Sequence, residues 1–169
     1  FAAWGESAGG HLVALLGTTG DIDDFVTDVY PEQSSAVQAV IDGYGPTDLT
    51  KIESQRRPGD FPSDPNNSPE ARLIGGNVHE NPEKAARANP ITYVSEGDAP
   101  FLILHGDNDP LVPHAQSELL EAALKEAGVP VQLYTVKGGG HGGFQDPRVD
   151  ELIREFLAKH LKGEEKAAE

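Results

Sequence analysis

Four apolar residues, Phe1-Ala2-Ala3-Trp4, run without a break into Gly5-Glu6-Ser7-Ala8-Gly9-Gly10-His11. That junction limits what the chain can fold into. A Gly-x-Ser-x-Gly pattern needs a strand to arrive, a sharp strained turn at the serine, and a helix to leave. Side chains at positions 5 and 9 are expected to collide across such a turn, which accounts for the two glycines. Residues 8–17 then read as a buried helix stopped by Gly17. A pentapeptide of small residues is weak evidence alone. Its weight comes from what the chain supplies further on.

The rest of the chain alternates between two kinds of segment. Val37–Tyr44, Phe101–His105 and Val131–Val136 are apolar runs bounded by Gly, Pro and Asp, and read as strands. The first two of these are apolar on both faces, as strands inside a parallel sheet are. The last alternates, which suits a position nearer the sheet edge. Helices are expected over 114–127 and 147–162, where apolar residues recur at helical spacing. Shorter helices are expected at 69–74 and 82–87, each opened by proline in its first turn. Residues 51–90 show weak apolar periodicity and many prolines, and read as a lid-like excursion. The acidic stretch holding Asp21, Asp23, Asp24 and Asp28 lacks the spacing of a calcium loop and reads as a solvated loop. Strands alternating with helices predict an α/β fold, a mostly parallel sheet with flanking helices. One domain is expected over 1–162, with a polar tail at 163–169.

Composition removes several functions. The net charge of −15 argues against nucleic acid and anionic membrane as partners, since both need a basic face. No cysteine is present, so disulfides, thiolate metal sites and a cysteine nucleophile are excluded. No ligand spacing points to a metal, and no motif points to a cofactor.

In a parallel sheet, functional groups gather beyond the carboxyl ends of the strands. The first strand delivers Ser7 there, the third Asp109 and the fourth His141. The order Ser, Asp, His differs from the orders of chymotrypsin and subtilisin. The 32 residues between Asp109 and His141 leave room for one helix and one strand. A serine hydroxyl needs a base to take its proton during attack, and neutral imidazole does this near neutral pH. A carboxylate behind the imidazole holds the useful tautomer. The backbone N–H of Ala8, just after the serine, is placed to receive the oxyanion that forms on an attacked carbonyl.

Gly5–His11, His105-Gly-Asp-Asn-Asp-Pro-Leu-Val-Pro113 and Gly139-Gly-His-Gly-Gly-Phe144 together resemble an α/β-hydrolase carboxylesterase. The similarity is to the branch of feruloyl and acetyl-xylan esterase-like and hormone-sensitive-lipase-like enzymes, and it runs from residue 1 to about 160. Asn89–Val94 and Ala99–Phe101 share it. The resemblance implies Ser7 as nucleophile, His141 as base and Asp109, rather than Asp107, as acid. It implies hydrolysis of short-chain or aryl esters through an acyl-enzyme, with no cofactor. A serine peptidase of the same fold and a partner-dependent, inactive half-domain are the alternatives. Such enzymes carry about half their sheet before the elbow strand, including a His-Gly-Gly segment with further oxyanion donors. The chain is therefore expected to match the C-terminal half, with the N-terminal half of the fold absent. The free flank of its first strand then invites a second copy to pair as a homodimer. Trp4 is expected in the core, Asp107 as a loop cap, His105 as a structural strand-end residue and His11 on a helix face. His79, His114 and His160 are expected at the surface. Tyr44 is expected either to line a pocket or to pack. Nothing in the sequence fixes a compartment.

Overall fold

The computed structural model describes residues 1–20, 22–25, 29–61 and 64–161. Asp21, Asp28, the last residue expected in the C-terminal helix and the 163–169 tail lie outside them. Four parallel strands form one sheet in the order β1-β2-β3-β4: Ala2–Glu6, Ala39–Gly43, Phe101–Gly106 and Val131–Val136. The strands run in register from Ala2 beside Ala39 through Val40 beside Phe101 to Phe101 beside Val131. Their carboxyl ends, at Glu6, Gly43, Gly106 and Val136, therefore share one edge of the sheet.

Side chains alternate across β2 and β3 and feed two cores. Val40, Phe101 and Ile103 meet Ala14 of α1 (Ala8–Thr18) and Leu120 and Leu124 of α5 (Ala115–Glu126) on one face. Ile41, Leu102 and Leu104 meet Val149, Leu152 and Ile153 of α6 (Pro147–Leu161) on the other. Helix α6 packs on β2 and β3. Trp4, paired with Ile41 on β1, is 55% exposed rather than in the core as expected. It lies on the outermost strand of the sheet, beyond the two strands on which α6 packs.

The 51–90 excursion has a core of its own. It carries α2 (Ile52–Gln55), α3 (Pro69–Ile74) and α4 (Pro82–Arg87). Leu49, Ile52, Ile74, Val78 and Ala85 bury one another. Ser68 caps α3 by accepting from Ala71 N–H at 3.0 Å, Pro69 fills its first turn, and Gly75 ends it at φ 75°. Buried Gln116 of α5 ties the base of this layer down. Its Oε1 accepts from Thr47 N–H at 2.7 Å, and its Nε2 donates to Gln55 Oε1 at 2.6 Å. Asp23 and Asp24 sit in a short 3-10 turn ending at Phe25. Among the described residues no helix is long and apolar enough to cross a membrane.

Candidate active site

Ser7 stands between β1 and α1 at φ 53°, ψ −118°. A non-glycine residue held there stores about 1–3 kcal/mol of strain. The surrounding backbone enforces it. Ser7 N–H donates to Gly43 O at 2.7 Å, and His11 N–H to Ser7 O at 3.1 Å. A Cβ at Gly5 would lie 2.2 Å from Gly9 O, as the collision argument requires. Position 9 differs from expectation, since a Cβ there meets nothing within 4 Å. The second tight glycine is Gly10, whose Cβ would fall 2.3 Å from Asp42 Oδ1 and 2.9 Å from Gly43 O. The first turn of α1 rests on the end of β2, and that contact demands the glycine.

His141 leaves the turn after β4 and meets both partners. Its Nδ1–H donates to Asp109 Oδ2 at 2.7 Å, and Ser7 Oγ–H donates to its Nε2 at 2.8 Å. The three side chains come from the ends of β1, β3 and β4. Asp109 is buried to 1% exposure. Burial alone would raise its pKa. Hydrogen bonds from His105, His141 and the N–H groups of Val112 and Leu111 outweigh burial and hold the carboxyl well below the usual carboxylate range. Leu111 and Val112 N–H donate to Oδ1 at 2.8 and 2.9 Å. His105 Nε2–H serves Val112 O at 3.0 Å and lies 3.3 Å from Asp109 Oδ2, while its Nδ1 hydrogen-bonds Ser117 Oγ at 2.6 Å. Asp107 points elsewhere, its Oδ1 accepting from Gly138 N–H at 2.6 Å.

The loop bearing Asp109 is stapled to the excursion. Arg57 Nη1 and Nη2 donate to Asp107 O at 2.9 Å and Asp109 O at 3.1 Å. Arg56 Nη1 donates to Leu111 O at 3.1 Å, and Phe61 N–H to Pro110 O at 3.1 Å. Arg56 and Arg57 escaped the sequence reading, because bonds to carbonyls some fifty positions away leave no periodicity. The excursion thus forms a wall over the serine. It borders an open cavity of about 320 Å³ lined by Ser7, Ala8 and His141 together with Arg56, Phe61 and Asn67. A second, mostly apolar cavity of about 360 Å³, lined by Leu12, Leu49 and Leu73, shares Ala8, Pro46 and Pro69 with it.

Three further polar residues complete the surroundings. His11 is buried, its Nδ1 2.9 Å from Pro46 O. His114 is half-buried rather than free at the surface, with Nε2 2.9 Å from Thr135 Oγ1 and Nδ1 3.2 Å from Glu118. Asp42 lies under the elbow at 1% exposure; Oδ1 accepts from Gly45 N–H at 2.9 Å while Oδ2 has no partner. Burial pushes its pKa up to about 6, against the pull of the Gly45 bond and of His105. Among the described residues no three His, Asp or Glu side chains converge as a metal site requires.

The sequence profile of the BD-FAE family matches residues 1–124. Esterase LipQ of Mycobacterium tuberculosis is 33% identical over 159 residues, covering 90% of this chain and 36% of its own length. A truncated carbohydrate esterase from gut microbiota superposes with a TM-score of 0.79 at 33% identity, over 95% of this chain and 59% of that one. A thermophilic esterase from the Planctomycetes species Thermogutta terrifontis gives 0.66 at 28% identity, over 99% and 57%. The chain spans little more than a third of the curated relative it matches.

Proposed function

The chain belongs to the BD-FAE family, of α/β-hydrolase fold, and on that premise we propose that it is a serine carboxylester hydrolase acting through an acyl-enzyme. The unbroken hydrogen-bond chain Ser7–His141–Asp109 carries the reading. Ser7 Oγ attacks the ester carbonyl carbon as His141 Nε2 takes its proton. Asp109 accepts from Nδ1–H and stabilises the imidazolium. The carbonyl oxygen gains the negative charge, and the Ala8 N–H at the start of α1 stabilises it. His141 then hands its proton to the departing alkoxide, which leaves as the alcohol. Water repeats the attack on the acyl-serine with His141 again as base. The carboxylic acid leaves, and Ser7 recovers its proton.

The substrate we favour is a short-chain or aryl ester. The 320 Å³ cavity beside Ser7 suits a small group, and the apolar cavity next to it offers aliphatic or aromatic surface. Arg56 and Asn67 offer hydrogen bonds to a hydroxyl-bearing alcohol, and half-exposed Phe61 offers a flat face to a sugar ring. The carbohydrate esterase among its structural relatives fits that alcohol. Matches to proteins named esterases favour ester over peptide cleavage.

Hydrolysis of p-nitrophenyl acetate and butyrate tests the proposal, with Ser7→Ala as control. Turnover should fall by about 10⁶-fold in the variant. Unchanged turnover would remove Ser7 from the mechanism. A folded protein that neither hydrolyses esters nor labels with a fluorophosphonate would favour the inactive half-domain.

A further inference from the structure

Tyr44 is the residue at which β2 leaves the sheet. Its N–H still donates to Leu104 O at 2.8 Å, continuing the ladder to β3. Its φ of 45° is a left-handed conformation that a tyrosine adopts only when the surroundings impose it. Those surroundings are the parts of the active site. The ring lies edge-on to His141, with centroids 4.7 Å apart at 66°, and edge-on to Phe144 at 5.7 Å and 85°. Gly142 between them sits at φ 78°, and a Cβ there would fall 2.5 Å from the tyrosine oxygen. The loop bearing the base is therefore wrapped around Tyr44. The hydroxyl donates to Glu6 Oε2 at 2.7 Å, and Glu6 directly precedes Ser7. Burial and the Glu6 carboxylate raise the phenol's pKa, so it remains a donor at every working pH. The residue is only 7% exposed.

The geometry points to Tyr44, held by Glu6, as a positioning residue for His141. This rests on the acyl-transfer reading of Ser7, Asp109 and His141. Two hydrogen bonds and the link to Cβ place the imidazole, but when either bond is lost the ring can turn about Cβ–Cγ. An aromatic ring packed on it removes that freedom. The need is greatest in mid-reaction. Once Ser7 Oγ has passed its proton to Nε2 and bonded to the ester carbon, it no longer donates to Nε2. In that tetrahedral intermediate the Asp109 bond is the one that still anchors the ring. The imidazole, whose side chain is 19% exposed, must still present Nε2–H to the leaving alkoxide. The Tyr44 ring persists through that step. Because its hydroxyl is tied to the residue before the nucleophile, the base's support moves with the nucleophile's strand.

The test uses the full chain with Tyr44→Leu, Tyr44→Phe and Glu6→Gln. Misplacing a catalytic group by about 1 Å costs roughly 10²-fold. Tyr44→Leu should therefore lower kcat by about 10²-fold with KM within about twofold. Tyr44→Phe, which keeps the ring but loses the bond to Glu6, should recover most of kcat and lie about three- to tenfold below the parent, and Glu6→Gln, a weaker acceptor, should match it. The low-field proton resonance of His141 Nδ1–H should broaden or vanish in Tyr44→Leu and survive in Tyr44→Phe. Raised KM at unchanged kcat would overturn the proposal and make Tyr44 a wall of the binding site. An unchanged kcat with an intact resonance would reduce it to packing. Should Tyr44→Leu not fold, Glu6→Gln decides, and parental kcat and resonance there would overturn the role of the pair. If the parent neither turns over esters nor labels with a fluorophosphonate, the acyl-transfer reading fails. The resonance then judges the positioning by itself.

Discussion

Ser7 and Asp109 hold their places by opposite means. Backbone fixes Ser7: a strained φ, two glycines with no room for a side chain, and the N–H bond to Gly43 O. Polar side chains and turned-in N–H groups fix Asp109: His105, His141, Leu111 and Val112 around its carboxylate, and Arg57 on its carbonyl. The first kind of site is sensitive to an added methyl, the second to the loss of a donor or a charge.

The largest test of that contrast is Asp109→Asn. The amide offers one oxygen where the carboxylate offers two, and it favours the wrong imidazole tautomer. kcat should fall by about 10³–10⁴-fold with the fold intact. A loss below about tenfold would mean the polar shell is dispensable. On the backbone side, Gly5→Ala should destabilise by about 3 kcal/mol, because the new Cβ meets a carbonyl that cannot yield. Gly9→Ala, in the same motif, should be neutral or stabilise by up to about 1 kcal/mol, as alanine for glycine in an open helix position does. Thermal or urea melts separate the two, and equal costs would break the backbone account.

Asp42 lies between the two kinds of site, touching the elbow but governed by charge. Its pKa in the folded protein is raised from 3.8 to about 6, so the folded state holds the proton more tightly than the unfolded chain. That stabilisation is whole below about pH 4 and lost as pH rises through about 6, at most about 3 kcal/mol. Asp42→Asn keeps an acceptor for Gly45 N–H. The variant should be more stable than the parent at pH 8 by up to that amount, with the gap closing near pH 4. Denaturant melts at the two values check this, and a gap that widens in acid would reverse the assignment. A smaller effect on activity than that of Asp109→Asn belongs to Arg57→Ala, which removes the clamp but not the carboxylate. kcat should fall by about tenfold with KM within twofold. Steady-state kinetics that show only a KM change would make Arg57 a binding residue.

The same contrast governs what the sequence discloses. Elements made by local pattern are legible. α3 and α4 fall at 69–74 and 82–87 as expected, and α1, α5 and α6 lie within a residue or two of their predicted bounds. Gly5 announces its turn because only glycine fits there. Gly9 misleads, since the motif contains it but the packing does not require it; Gly10 carries the contact instead. The excursion's core is invisible because Leu49, Ile52, Ile74, Val78 and Ala85 come from separate short elements with no common period. The hold of Arg57 on the acid loop and of Tyr44 on His141 depends on contacts across the fold, with no spacing to mark them. Trp4 was misread because an apolar residue on a strand says nothing about whether a helix covers that part of the sheet.

The order β1-β2-β3-β4 has a consequence for how the protein is made. Among the described strands each new one joins the free side of the last, and none inserts between earlier neighbours. The sheet can grow in the direction of synthesis, each strand–helix unit docking on a surface already formed as it clears the ribosome. Ser7 takes its shape once β1, α1 and β2 have come together. His141 follows 134 residues later, behind the last strand. At about 5–20 residues per second, the elbow stands for several seconds or more before His141 exists. The growing chain thus carries Ser7 without its hydrogen-bond partner, and the proposed chemistry waits on the arrival of β4 and the turn after it.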